Sequence, residues 1–296
     1  MTGNYNDKVR AVVLAALMVL SVFAGTVAFA GTAAAATGSV SLDADYYADG
    51  DTVTITVQDD DLAGSGPVVV GVNSGTEGAT STTETPSGTP TSYTTTAVVA
   101  DTNSDGSITA ADFTFAEGGA DGNGVTGSID SVSSVNADGT VTLSLSNWES
   151  DDTITFDSPA ETVSLTETST SGTFTGTITV DAGGGSTSDL DVTDGETITV
   201  SYGDNSESQA VRTTTATVDT TAPTINNIAL ADETDSDGTV GDGDTVKVTA
   251  DVTDSTSGVD SVTVDGSNFG AGSSVTMVDD GSGADATSGD GTYTGT

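Results

Sequence analysis

Apolar side chains recur at every second position along much of this chain. From Glu161 to Val200 the pattern is plainest. Val163 and Leu165 are followed by Phe174, Ile178 and Val180, and then by Ile198, Val200 and Tyr202, with Thr and Ser at most positions between. Period-two alternation in β-branched residues predicts strands with one buried and one wet face. Ser169 to Gly172 supplies turn residues between two such runs and predicts a hairpin. The same grammar appears at Val40 and Leu42, at Val53, Ile55 and Val57, and at Val68 to Val72. It returns at Ile129 and Val132, at Val141, Leu143 and Leu145, at Ile154 and Phe156, and from Ala210 to Val218. Beyond Pro223 it continues through Ile225, Ile228 and Leu230, Val246 to Val252, Val262 and Val264, and Val275 and Met277. The expected fold is all-β, built from tandem sandwiches.

One stretch breaks the alternation. Ala11 to Ala30 is a continuous apolar run preceded by Lys8 and Arg10 and followed by Ala34-Ala35-Ala36. A positive start, an apolar middle and small residues at the end describe a helical export leader. The cut is expected after Ala36, with Ala30 as the alternative. A run of about 20 apolar residues could also span a bilayer as an uncleaved anchor, but the Gly25, Gly31 and alanine-rich end favours cleavage. The absence of an Arg-Arg pair points to the general secretory route.

Charge narrows the setting. The 296 residues hold 45 Asp and Glu against 4 Lys and Arg, with no His and no Cys. Cleavage would remove Lys8, Arg10 and one of the 45 acids, Asp7, so that Arg212 and Lys247 are the only basic residues of the processed chain. Such a balance fits either a disordered chain or a fold adapted to concentrated salt. The ordered alternation favours the fold. At about 0.15 M salt the Debye length is ~8 Å, and at 1 M it is ~3 Å. A sheet protein with this charge is therefore expected where salt is molar or divalent cations are plentiful. Nucleic acid and anionic lipid are excluded as partners, since no basic footprint exists to meet phosphates. Without Cys there are no disulfides, thiol nucleophiles or thiolate metal sites.

Catalysis has little to work with. No His means no imidazole base, triad or imidazole metal ligand. A two-carboxylate mechanism survives in principle, but no pair stands out among so many acids, and aromatics make up only 5%. The chain reads as non-enzymatic, with no small-molecule substrate and no catalytic or organic-cofactor residues.

The sharpest motif runs Asp101-Thr-Asn103-Ser-Asp105-Gly106-Ser107-Ile108-Thr109-Ala-Ala-Asp112. Oxygen-bearing side chains at positions 1, 3 and 5, Gly at 6, a backbone carbonyl at 7 and an acid at 12 match the twelve-residue calcium loop. Asp101, Asn103, Asp105, Ser107, Thr109 and Asp112 are the candidate metal residues, and Ca2+ is the expected ion. Affinity would be weak, about 10⁻⁴–10⁻³ M, as in extracellular modules. The competing reading is an Asp/Gly-rich turn in a chain full of both. Looser candidates are Glu233 with Asp235, Asp237, Asp242 and Asp244, and Asp279 with Asp280, Asp285 and Asp290.

The leader Asn6-Asp7-Lys8-Val9-Arg10-Ala11-Val12-Val13-Leu14-Ala15-Ala16-Leu17-Met18-Val19-Leu20, continuing to Phe29-Ala30-Gly31, resembles the leader of haloarchaeal surface-layer glycoproteins. The resemblance covers about an eighth of the chain. It implies export to the surface of an extreme halophile, in agreement with the salt argument. No Asn-x-Ser/Thr sequon occurs, a departure that puts N-glycosylation of this chain in doubt. The Thr/Ser/Pro-rich residues 73–96 read as a solvated loop or an O-glycosylation tract. The opening Ser39–Val57 and the block Thr166–Ile178 resemble immunoglobulin-like domains of microbial surface proteins, and Asp219-Thr-Thr-Ala-Pro223 resembles the joint between tandem copies. The Asp at the twelfth loop position resembles dockerins, though no second loop follows.

The expected organisation is therefore a leader at 1–36, an immunoglobulin-like sandwich at 37–219 with an insert at 73–135 carrying the calcium loop, and a second sandwich at 220–296, apparently truncated. The expected function is that of a structural surface-layer protein that associates with itself or with other surface proteins through divalent cations. A secreted adhesin, or the binding arm of a larger extracellular protein, is the alternative. A fragment of an exported hydrolase is a third.

Overall fold

A computed structural model describes residues 37–119, 126–184, 188–204, 209–234 and 239–296. The expected leader lies outside the described residues, as do residues 235–238 of one looser candidate loop. The compact unit runs from Thr37 to Thr296.

The chain opens with β1 (Ser39–Leu42), β2 (Tyr46–Tyr47), β3 (Thr52–Gln58) and β4 (Val68–Asn73). Along β3, Val53, Ile55 and Val57 are fully buried while the threonines between them face outward. Gly50 makes the turn before β3 at φ +82, a conformation that suits glycine. The Asp51 carboxylate closes that turn by accepting the Ala48 N–H at 2.7 Å.

After β4 the chain leaves the sandwich and builds β5 (Thr80–Glu84), β6 (Ser92–Thr94), β7 (Phe113–Ala116), β8 (Ser128–Val135), β9 (Val141–Ser146) and β10 (Thr153–Ser158). These pair only among themselves, as sheets β5-β10-β7 and β6-β9-β8. They enclose their own core, including Ile108, Phe113, Leu143, Trp148, Ile154 and Phe156. Trp148 is a buried plug whose ring meets Phe115 edge-on at 5.4 Å and whose N–H reaches the Pro86 carbonyl at 3.4 Å. The strand pairing carries this excursion on to Ser158, beyond residue 135, because β9 and β10 find their partners here. The 73–96 stretch, expected as a loop, contributes β5 and β6. Facing hydroxyls explain how so polar a run pairs: Thr82 with Ser158, Thr83 with Thr155 and Thr94 with Thr142, at 2.9–3.0 Å.

The chain then returns with β11 (Glu161–Glu167), β12 (Thr173–Asp181), β13 (Leu190–Asp191), β14 (Thr197–Asp204) and β15 (Ala210–Val218). β1, β3 and β12 form one face of a sandwich, and β4, β14, β15 and β2 form the other. β11 belongs to both. Glu161 to Leu165 pairs with β4, while Thr166 and Glu167 pair with β12. The first strands divide likewise, β1 lying antiparallel to β3 and β2 parallel to β15. This is the immunoglobulin-like arrangement. Val53, Ile55, Phe174 and Val180 meet Val70, Leu165, Ile198, Val200 and Tyr202 in its core. Each large side chain buried there contributes about 1.5–3 kcal/mol.

Past Pro223 come β16 (Thr224–Asp232), β17 (Val246–Thr253), β18 (Val262–Val264), β19 (Val275–Met277) and β20 (Thr292–Gly295). β16, β17 and β20 form one sheet, and β18 and β19 form a hairpin. Their core is small: Ala250, Val252 and Met277, flanked by half-buried neighbours such as Val262 and Tyr293. Ile225, Ile228 and Leu230 on β16 remain 56–69% exposed. A bulge between Asn226 and Ala229, with Asn227 at φ +49, sets all three on the face that carries Val248 and Val252.

Candidate metal centre

The loop expected to hold calcium, Asp101 to Asp112, lies between the second core and the start of β15. Ile108 is its anchor, 2% exposed within that core. The Ile108 N–H donates to the Gln209 carbonyl at 2.9 Å, and the Val211 N–H donates to the Gly106 carbonyl at 2.8 Å. A glycine is required at position 6, since Gly106 takes φ +85. Ser104 also adopts a positive φ, +57.

The polar side chains fold inward on the loop's own backbone. Asp101 Oδ2 accepts from Gly106 N at 2.8 Å, Asn103 Oδ1 from Asp105 N at 2.9 Å, and Asp105 Oδ1 from Ser107 N at 3.0 Å. Asp112 returns to the loop's beginning. Its Oδ1 accepts from Thr102 N at 3.0 Å and Asn103 N at 3.3 Å, and its Oδ2 from Thr109 N at 2.8 Å. Thr109 completes a capping box with Asp112 over a single 3-10 turn, Ala110–Asp112. Asp101, Asn103, Asp105 and Asp112 thus share one closed loop, while Ser107 sits in a bridge to Ala210.

Part of this arrangement suits a hard cation and part does not. Asp101 Oδ1 is buried and accepts no hydrogen bond, which leaves an anionic oxygen for an ion. Asp112, the closing acid, is 3% exposed and spends both oxygens on N–H donors. Among the described residues no group of three or more Asp, Glu, His or Cys stands close enough to hold a metal. The shell would therefore draw on Asn103, main-chain carbonyls and water, consistent with weak binding.

The looser candidates are taken up by an ion pair and by the backbone of their own loops. Glu233 meets Lys247 at 3.2 Å, and Asp244 accepts Gly241 N. Asp279 accepts from Gly289, Asp290 and Gly291, and Asp285 from Gly281.

One role of the acids was not read from the sequence. Carboxylates tie down the loops of this fold throughout, by accepting N–H and O–H donors at the charge-assisted strength such bonds carry. Glu84 takes Thr96 N, the Thr96 hydroxyl and Ala97 N on one oxygen and the Tyr93 hydroxyl on the other. Burial and the adjacent Glu84 push the Tyr93 phenol up to about 12. Asp152 takes Glu149 N and Gly118 N. Asp219 takes Thr221 N and Ser257 N, tying the start of the joint to the loop after β17. Only the contact of Asp219 with Thr221 N, two residues on, has a local Asx-turn spacing that the sequence could have announced; Glu84 and Asp152 reach residues distant along the chain.

The chain is thus an acidic, all-β sandwich protein whose loops are tied down by carboxylates. Comparison with known proteins gives a local answer. No family model matches. The chain is 54% identical over 52 residues, 18% of its length, to a cell surface glycoprotein of Haloferax gibbonsii. It is 64% identical over 47 residues, 16% of its length, to cell surface glycoprotein 2 of Haloarcula hispanica. The matched segments take in only 6% and 5% of those relatives. The chain therefore shares a short region with haloarchaeal cell surface glycoproteins.

Proposed function

We propose that this chain is a structural, non-catalytic protein of the cell surface of an extreme halophile. The observation that carries the reading is the local identity with two haloarchaeal cell surface glycoproteins. The net charge of −41 and the immunoglobulin-like sandwich support it. In this reading the chain forms part of a surface layer. Molar salt screens its carboxylates, and divalent cations bridge acids on it to copies of itself or to other surface proteins. Calcium at Asp101, Asn103, Asp105, Ser107, Thr109 and Asp112 stiffens the loop against β15.

Calcium titration in molar KCl tests the metal site. The melting temperature should rise with calcium, and Asp105→Ala should abolish the rise while leaving the calcium-free melting point within a few degrees. A melting curve that ignores calcium removes the site from the account. Electron microscopy of isolated envelopes tests the lattice. Ordered arrays support the surface-layer role, and scattered copies favour the adhesin.

A further inference from the structure

Two acids are buried where the described chain begins. Asp204, at the end of β14, is fully buried, and Asp59, just after β3, is 3% exposed. Both converge on Gly38. The Gly38 N–H donates to Asp204 Oδ2 at 2.8 Å. A Cβ placed on Gly38 would stand 2.7 Å from the Tyr202 ring, 3.1 Å from Asp59 Oδ2 and 3.2 Å from Asp204 Oδ2. The chain thus passes through a slot that only glycine fits, with a carboxylate on each side. The Tyr202 hydroxyl donates to Asp59 Oδ2 at 2.5 Å, and Asp61 N donates to Asp59 Oδ1 at 2.9 Å.

Positive charge is scarce here. Arg212 Nη2 lies 3.4 Å from Asp204 Oδ2, and Lys247, the other basic residue beyond the expected leader, is paired with Glu233. Buried carboxylates cost several kcal/mol each unless cations and donors answer them. Burial, opposed by the Tyr202 hydroxyl and Asp61 N–H and joined by the charges of Asp204 and Asp61, holds the Asp59 carboxyl above its ordinary range.

We propose that the α-ammonium group created at Thr37 by leader removal completes this site, pairing with Asp204 and Asp59 and fastening the start of the processed chain between the two sheets. The inference rests on the reading of 1–36 as a leader cut after Ala36. Backbone dimensions place the Thr37 nitrogen less than ~4 Å from the Gly38 nitrogen, which itself donates to Asp204, so the new charge arises one residue from the two carboxylates. In the uncut chain that nitrogen is a neutral amide, so the same contact carries no charge. Export processing would then stabilise the sandwich where the protein works. Lengthening or blocking the terminus would remove the gain.

An α-ammonium paired this way has its pKa raised above the ordinary value of about 7.7–8.0. Its contribution is complete below that value and is lost as pH rises through the raised one. The titratable and charged groups facing it are Asp59, Asp61, Asp204, Tyr202 and Arg212. Three forms of the processed chain should be compared by thermal melting in molar KCl: a free Thr37 amine, an N-acetylated Thr37, and a form retaining Ala35-Ala36. At about pH 6 the free amine should melt roughly 2–4 °C above the other two. The gap should close above about pH 9 and should shrink in both Asp204→Asn and Asp59→Asn. Equal melting of the three forms overturns the proposal, as does a gap that persists in either folded variant. Mass spectrometry of the secreted protein tests the leader reading separately. A terminus other than Thr37 sinks that reading and the proposal with it, whereas equal melting with a Thr37 terminus sinks the proposal alone.

Discussion

β3 and β16 each set three large aliphatic side chains on one face and end in opposite environments. Val53, Ile55 and Val57 on β3 are fully buried, whereas Ile225, Ile228 and Leu230 on β16 are more than half exposed. Both strands are paired, β3 on strict alternation and β16 across the bulge between Asn226 and Ala229. Burial came only where a second sheet stands opposite. β3 faces β4 and β14 across the sandwich, while the hairpin β18–β19 packs on Ala250 and Val252 and leaves β16 uncovered. The difference teaches that a period of two predicts a face, and that topology decides whether the face is dry.

The largest effect should come from testing that difference directly. Ile55→Ala should cost about 2–5 kcal/mol, the cavity price of a fully buried aliphatic. Leu230→Ala, on the exposed face, should stay within about 0.5 kcal/mol. Chemical unfolding in molar KCl measures both. Equal costs would mean that β16 is covered in solution, and the contrast between the two regions would fall.

Smaller and more local effects should separate the acids. Asp112→Ala strips three N–H groups of their acceptor in a loop anchored on the second core and should cost about 1–3 kcal/mol. Asp279→Ala releases three N–H groups at residues 289–291, beside the small core. It should speed amide exchange there and leave the main unfolding transition in place. If the Asp279 change moves that transition as far as the Asp112 change, the C-terminal region is not the weaker one.

The gentlest test is acid. Hydrogen bonding from Ser257 is the main reason that the Asp219 carboxyl lies below its ordinary value, outweighing the opposite pull of burial. A depressed carboxyl lends stability that is present above its unfolded value of about 3.9 and disappears as pH falls through the lower folded value. Asp59, held above its ordinary range by burial and by the charge of Asp204, has the reverse sign, since the folded state takes its proton first. On acidification below about pH 4, the amide of Ser257 should lose exchange protection before those of β3 and β14. Simultaneous loss would contradict this order.

The strands of the sandwich were legible because Val, Ile and Thr alternate cleanly there. The partners of β9 and β10 were not, since their alternation is as regular as that of β11 and nothing in it names a sheet. β5 and β6 were hidden for the opposite reason. Their cross-strand contacts are hydroxyl pairs, which resemble loop composition. At the loop, the positions of Asp101, Asn103, Asp105, Gly106 and Asp112 foretold a closed turn. That Asp112 would close it by accepting N–H groups depended on where the chain bent back, which spacing alone does not fix. The exposure of Ile225, Ile228 and Leu230 depended on an opposing layer and a bulge at Asn226, and neither is written locally.

The central claim is that a chain with 45 acids and 4 bases keeps its sheets because brine screens the carboxylates that its own N–H groups do not satisfy. Far-ultraviolet circular dichroism before and after dialysis from molar KCl into dilute, metal-free buffer tests it most directly. The account predicts loss of the sheet signal on dialysis, with recovery on return to salt; an unchanged spectrum in dilute buffer would contradict it.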